Sequence, residues 1–287
     1  MPQGIRAAAE AETLRMPRAG LAIALFAAGL LLPACASVAP PASALPAAAP
    51  VGQAAALGAL TARLAERDRA LTSMQTGAIM SYSAPDRHAK ARENITVSRP
   101  ASLRVEAMSP FGVALIVATH GGQLEIFEPA KNKLIRAAAT AETLDRFVQI
   151  PMAPADAVTL LLGIAPDSEL IAARAPAAVT AENINATSAA TMTVGAWPSA
   201  DGTMRELGFV DGNLAMVRRR DSAGAVVYEV RYGEYHDIGG LMFPYVVEAD
   251  FPLAHSHLTF HYDRPIVNGQ IAASVFDLAP PAAASGQ

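Results

Sequence analysis

Leu103-Arg104-Val105-Glu106-Ala107-Met108-Ser109-Pro110-Phe111-Gly112-Val113-Ala114-Leu115-Ile116-Val117-Ala118 is the stretch on which the fold reading turns. Its first arm alternates apolar and charged residues, the pattern of a strand with one wet face. Its second arm, Val113 to Ala118, is apolar on both faces and therefore needs cover on both sides. Between the arms lies a turn with the expected Pro110 and Gly112, but with Phe111 where turn chemistry favours a polar residue. An aromatic at such a tip either folds back onto the core or meets something outside it.

Working outward, the segments on either side read as strands joined by short turns. Thr76–Ser83 and Ala89–Ser98 precede the hairpin, and Gln123–Phe127 and Lys131–Ala137 follow it. Later strands are expected at Thr191–Trp197, Met204–Val210, Leu214–Arg220, Val226–Tyr232, Tyr245–Phe251 and His257–Tyr262. Three helices are expected. The first carries Leu57, Leu60, Leu64, Leu71 and Met74 at helical spacing. The second is Thr140–Gln149, and the third is Ala155–Leu162, opened by Pro154 and stopped by Gly163 and Pro166. Asp167–Ala190 has no clear pattern. The expected architecture is α+β: a strongly curved antiparallel sheet of about 10–11 strands, an incomplete β-barrel, with the helices on one face.

The N-terminus reads as an export signal. Met16-Pro17-Arg18 gives a basic start, and Leu21 to Leu32 is an apolar run of about a dozen residues, too short to cross a bilayer as a helix. It ends in Leu32-Pro33-Ala34-Cys35, and Cys35 is the one cysteine of the chain. Residues 1–34 are expected to be a signal peptide, with residues 1–15 either an extended n-region or upstream of a true start at Met16. A Leu three positions before the Cys resembles the lipobox of bacterial lipoproteins, which implies that Cys35 is the acylated lipid anchor. Several acyl chains on one residue make anchoring stable where a single chain is marginal. Ala36 in place of Asp favours the outer membrane over retention in the inner one, by the enterobacterial rule. Residues 35–56, rich in Ala and Pro, read as a tether, residues 57–279 as the folded domain, and 280–287 as a disordered tail.

Other functions find little support. The formal net charge is −4, from 22 Lys and Arg against 26 Asp and Glu, so no basic nucleic-acid footprint is expected. No nucleophile elbow, P-loop or paired carboxylates suggest catalysis, and no cofactor or metal is expected. His255, His257 and His261 share a strand face and could hold Zn or Cu, but with Leu258, Phe260 and Tyr262 opposite they read more simply as its solvent side. Arg218-Arg219-Arg220 could meet anionic head groups, although such runs are more often a solvated face.

Five motifs together resemble LolB-type outer-membrane lipoprotein receptors. They are Thr76-Gly77, Ser109-Pro110-Phe111-Gly112, Ile150-Pro151-Met152-Ala153-Pro154, Leu160-Leu161-Leu162-Gly163-Ile164-Ala165-Pro166, and Tyr232-Gly233-Glu234-Tyr235 followed by Phe243-Pro244. The resemblance implies an apolar concave face under a helical lid that takes the acyl chains of lipoprotein cargo. It also implies a soluble periplasmic LolA-type carrier as donor and the outer membrane as acceptor. Pro110, Phe111 and Gly112 would form the membrane-insertion loop. Expected cavity-lining residues are Val105, Leu115, Val117, Ile126 and Phe127 from the sheet, with Leu144, Phe147, Val158 and Leu161 from the lid. A monomer is expected. A lipid or glycolipid carrier or sensor, and a structural envelope lipoprotein, remain as alternatives.

Overall fold

The computed structural model describes residues 51–184 and 191–278. The expected signal peptide, Cys35 as the expected anchor, the expected tether up to residue 50 and the tail from Pro280 lie outside the described residues. Among the described residues no helix is long and apolar enough to cross a membrane.

The chain opens with α1 (Val51–Ala70), then β1 (Ser73–Ala84), β2 (Arg87–Ser98), β3 (Ser102–Ser109), β4 (Gly112–His120), β5 (Gln123–Glu128) and β6 (Lys133–Ala138). Three helices follow, α2 (Ala141–Val148), α3 (Pro154–Leu161) and α4 (Ser168–Ala172). The second run of strands is β7 (Ala178–Asn183), β8 (Thr191–Pro198), β9 (Met204–Val210), β10 (Asn213–Arg220), β11 (Val226–Ile238), β12 (Leu241–Phe251) and β13 (Ser256–Val267).

All thirteen strands join one antiparallel sheet, in the order β6-β5-β4-β3-β2-β1-β13-β12-β11-β10-β9-β8-β7. Two meanders, β1–β6 and β7–β13, meet where β1 pairs with β13, Tyr82 opposite Leu258. The edges β6 and β7 do not pair, so the barrel is incomplete. Because those edges are consecutive in the chain, the segment between them must travel from one side of the sheet to the other. That crossover is α2–α4, and its apolar residues (Leu144, Val158, Leu160, Leu162, Ile164) are buried as it goes. The lid is thus the connection that the strand order demands.

Several expectations shift. Among the described residues the strand count is thirteen, against about 10–11 expected, and one of the added strands, β7, lies within the unpatterned Asp167–Ala190 stretch, as does the short α4. The first helix begins at Val51 and takes up the last six residues of the expected tether, since an Ala-rich run is also a good helix former. Met74 belongs to β1, where it is fully buried, and not to the helix.

One face of the sheet holds the main core. On the β8–β11 side it is filled by α1: Leu57, Thr61, Leu64, Asp68 and Leu71 recur at three- and four-residue spacing and are all buried. At Gly195 of β8 a Cβ would lie 2.3 Å from Leu57 Cδ2 and 2.4 Å from the Trp197 ring, so a larger residue would force those side chains to move. Arg99 reaches the Asp68 carboxylate and also its carbonyl (2.7 Å), and Ser168 of α4 donates to the other carboxylate oxygen.

The double apolarity of β4 has a direct cause. Leu115, Val117 and Thr119 face the inside of the sheet, whereas Ile116 and Ala118 face outward and are covered by Leu278. The C-terminal segment is pinned there by Arg104 donating to the Val275 carbonyl (2.9 Å) and by the Leu278 N–H donating to Glu125 (2.8 Å).

Candidate functional site

Inside the sheet, on the side that α1 leaves open, lies a cavity of about 360 Å³. Its walls come from β4, β3, β2, β1, β13, β12 and β11, seven neighbouring strands, and from α2 and α3. Seven strands laid flat span roughly 29 Å at the usual inter-strand spacing. For all of them to border one cavity of this size, the sheet must be strongly bent around it.

The β3–β4 hairpin forms one wall as a ladder of facing pairs: Leu103 opposite Thr119, Val105 opposite Val117, and Ala107 opposite Leu115. All six line the cavity. Beyond Ala107 the pairing slips by one residue, and such a bulge bends and twists the hairpin. The turn itself is the two residues Pro110 and Phe111. Ser109 Oγ accepts from the Phe111 N–H (3.2 Å) and donates to the Gly112 carbonyl (2.9 Å). The left-handed step falls on Gly112 (φ 113°), which leaves Phe111 unstrained and 100% exposed. Of the two sequence-level readings of Phe111, the folded-back one does not apply.

The lid helices are held differently. The end of α3 and the turn after it are tied to the core by side chains: the Leu160 carbonyl accepts from Tyr232 Oη and the Leu161 carbonyl from Tyr262 Oη, both 3.1 Å, and the Gly163 carbonyl accepts from Arg67 Nη2 at 2.7 Å. Gly163 has φ +70°, and a Cβ there would sit 2.5 Å from Pro244. This is why the Leu-Gly-Ile-Ala-Pro run and the Phe-Pro pair occur together. Tyr232 and Tyr235 are both inward-facing although three apart, because Glu234 takes a left-handed φ of 51°. By contrast, α2 is capped locally by Thr140 and Thr143. Its side chains reach the sheet at two described points, Thr143 Oγ1 donating to the Ala138 carbonyl of β6 and Gln149 Oε1 accepting from Tyr82 Oη at 2.7 Å.

Of the nine residues expected to line the cavity, Val105, Leu115, Val117, Leu144, Phe147 and Leu161 do so. Ile126 points to the same side of the sheet but is buried between Leu124 and Leu144, beneath α2. Phe127 is on the other face, packed with Ile116 and Leu278, because adjacent strand residues cannot both point inward. Val158 is fully buried beside the cavity. The α3 face that borders the cavity is Ala157, Leu160 and Leu161, at the three- and four-residue spacing of one helical stripe. Sequence reading missed the contribution of the second meander, Val230, Val247, Ala249, Leu258 and Phe260, since nothing local in those strands announces that β13 returns to β1.

The lining is apolar with few exceptions. Two of them are buried: Thr119, whose hydroxyl donates to the Ala101 carbonyl (2.8 Å), and Glu93 of β2, only 6% exposed, which has no hydrogen-bond or ion-pair partner among the described residues. Burial raises its pKa to about 7. Arg87, Tyr82 and Gln149 also border the cavity.

The other charged groups are committed elsewhere. Arg218 pairs with Glu182 (3.0 Å), Glu206 (2.7 Å) and Glu229 (2.5 Å), and Arg220 pairs with Glu206 (2.8 Å). A wider open cleft of about 900 Å³ is bordered by His88, His255 and His257. There His257 uses both ring nitrogens, on Asp250 (2.7 Å) and Thr259 (2.9 Å), and no His/Cys/Asp/Glu group among the described residues could hold a metal.

Fold and cavity together define an open antiparallel half-barrel enclosing an apolar hollow. Solved structures share this fold. A DUF1329 family protein from Desulfovibrio piger matches at TM-score 0.50 and 9% identity, over 78% of this chain and 97% of that one. A domain assigned as an outer membrane lipoprotein-sorting protein, from Vibrio parahaemolyticus, matches at TM-score 0.51 and 8% identity, over 77% and 95%. A LolA superfamily protein from Nitrosomonas europaea matches at TM-score 0.45 and 14% identity, over 76% and 97%. No family model matches the sequence, and no curated protein is significantly similar to it.

Proposed function

We propose that this chain is a lipid-anchored envelope lipoprotein, of LolB type, that takes acyl chains of other lipoproteins into its cavity and releases them into the outer membrane. The observation that carries the reading is the β3–β4 hairpin. Its inner face lines the cavity from Leu103 to Ala107, and its tip presents a wholly exposed Phe111 a few residues further on. A single rigid element therefore connects an apolar store to an apolar probe. The tip has company: by strand register the β12–β13 turn lies on the same rim, and there Leu253 is 65% exposed.

The physical need is clear. Each methylene taken from water contributes about 0.8 kcal/mol, so a long acyl chain does not cross an aqueous compartment without cover. An apolar cavity of about 360 Å³ is in the size range of small-molecule sites. In this reading Cys35 holds the domain to the membrane through its acyl groups, a soluble LolA-type carrier supplies the cargo, and no chemistry is performed.

The test is transfer of a fluorescent acylated lipopeptide, diacylated or triacylated, from a soluble carrier to vesicles, with the protein as intermediary. Wild type should bind and deliver it. Phe111→Glu should bind it equally and deliver at least tenfold more slowly. Equal delivery by the variant would remove the role of Phe111, and failure of wild type to bind the lipopeptide would remove the reading. Co-purification of a phospholipid or glycolipid, with no binding of lipopeptide, would favour a lipid carrier.

A further inference from the structure

An apolar cavity has no use for a buried carboxyl group unless something enters that needs one. Glu93 sits on the inward face of β2, opposite Ala78 of β1 and Ala107 of β3, two small residues that leave its side chain room toward the cavity. The groups that could satisfy it are otherwise engaged or distant. Tyr262 of β13 gives its hydroxyl proton to the Leu161 carbonyl, and Tyr82 of β1 gives its own to Gln149. Arg87, the one basic residue on the cavity wall, lies six residues along the same strand face, roughly 20 Å away at strand rise. From α3 the cavity receives only Ala157, Leu160 and Leu161, and from β3 only Leu103, Val105 and Ala107. A buried carboxyl without a partner is costly and is ordinarily paired, and none of the neighbouring elements supplies a donor.

We propose that Glu93 is a head-group-binding residue: the cavity takes an amphiphile whose primary ammonium lies within a few bonds of its acyl chains, and Glu93 accepts the hydrogen bond from that ammonium. This rests on the acyl-binding reading above and narrows its ligand. The free α-amino group of a diacylated lipoprotein N-terminus has this chemistry, and so has an aminolipid such as phosphatidylethanolamine. A carboxylate-bearing fatty acid would be repelled.

The direct test uses three probes with one chain and different heads: hexadecylamine, hexadecanol and palmitate. They are titrated by calorimetry into the folded wild-type domain and into Glu93→Gln, which keeps the size and loses the charge. Wild type at pH 8 should bind the amine at least tenfold more tightly than the alcohol. Glu93→Gln should lose that preference while keeping the alcohol. On wild type alone, amine affinity should fall as the pH drops from 8 to 5.5 and Glu93 takes up its proton.

Equal binding of amine and alcohol by wild type, or amine affinity that rises toward low pH, would overturn the assignment of Glu93 and leave the acyl-binding cavity standing. Failure of all three probes would overturn the acyl-binding reading itself. A second pair separates the sources. A diacylated lipopeptide with a free α-amine preferred over phosphatidylethanolamine points to lipoprotein cargo, and the reverse preference points to an aminolipid. Rejection of both by wild type, with the N-acylated lipopeptide accepted, would count against the proposal.

Discussion

Tyr82 of β1 donates a 2.7 Å hydrogen bond to the side chain of Gln149, the residue in left-handed conformation that ends α2. One residue comes from the sheet and the other from the lid, and both border the cavity. Helix α3 has two side-chain donors on its last carbonyls, and a third on Gly163 just beyond it.

Tyr82→Phe should therefore loosen α2 and leave the rest of the fold alone. Loss of one partly exposed hydrogen bond costs about 1 kcal/mol. The expected readout is faster amide exchange in residues 141–148, with a several-fold faster release of a bound acyl probe. Unchanged exchange in that segment would show that the burial of Leu144 and the Thr143 bond to β6 hold α2 without Tyr82.

Gly163→Ala should damage stability more than its size suggests. The position has φ +70°, and the new Cβ would lie 2.5 Å from Pro244 and 3.0 Å from Arg67. Left-handed strain near 1 kcal/mol and an overpacking cost of 1–3 kcal/mol give an expected loss of about 2–4 kcal/mol. Urea titration of the two proteins measures it.

The raised pKa of Glu93 has a stability signature with a definite sign. The group titrates near 7 in the folded chain, against 4.5 for its ordinary value. Between those two pH values the unfolded chain holds fewer protons than the folded one, so stability falls as the pH rises through that window. The size is about 3 kcal/mol at most, at 1.36 kcal/mol per pKa unit. Melting curves at pH 5 and pH 8 should show this contribution in the ligand-free wild type, and Glu93→Gln should abolish it.

The rim that carries Phe111 is also basic along β2, where Lys90 and Arg92 are exposed. If that rim meets a bilayer, each basic residue contributes about 1 kcal/mol of attraction to anionic lipid. The Lys90→Glu, Arg92→Glu double variant should bind phosphatidylglycerol vesicles at least tenfold more weakly and bind an acyl probe in solution as wild type does. Vesicle co-sedimentation and probe fluorescence report the two separately.

Much of the sheet could be read from the residues, and the reasons are local. The alternation in Leu103–Ala107 and the Gly-containing turns each reflect contacts with immediate neighbours. The cavity was legible where alternation fixes a face, as for Val105 with Val117. It was misjudged where two adjacent positions, Ile126 and Phe127, were assigned to one side. What escaped was long-range: β7 in an Ala-rich stretch, the outer cover that Leu278 gives β4, and the part of the wall built by β11–β13. Glu93 escaped for a different reason. Its signal is a carboxylate among inward positions of a strand, Glu93, Ile95 and Val97, and it becomes visible only once the inward face is known.

The pairing of β1 with β13 has a consequence for how the molecule is made. Each meander joins strands that are close in sequence, but the seam between them joins residues such as Tyr82 and Leu258 from the two ends of the domain. Contacts of that span are slow to form because the loop they close is long. A chain threaded through a membrane from its N-terminus would emerge with its first strand unmatched along one side, and would have to wait for its last strand to arrive. Until then the greasy interior would stay open to the surroundings, and if the chain is exported as proposed, the interval after export is the stage at which a chaperone would matter most.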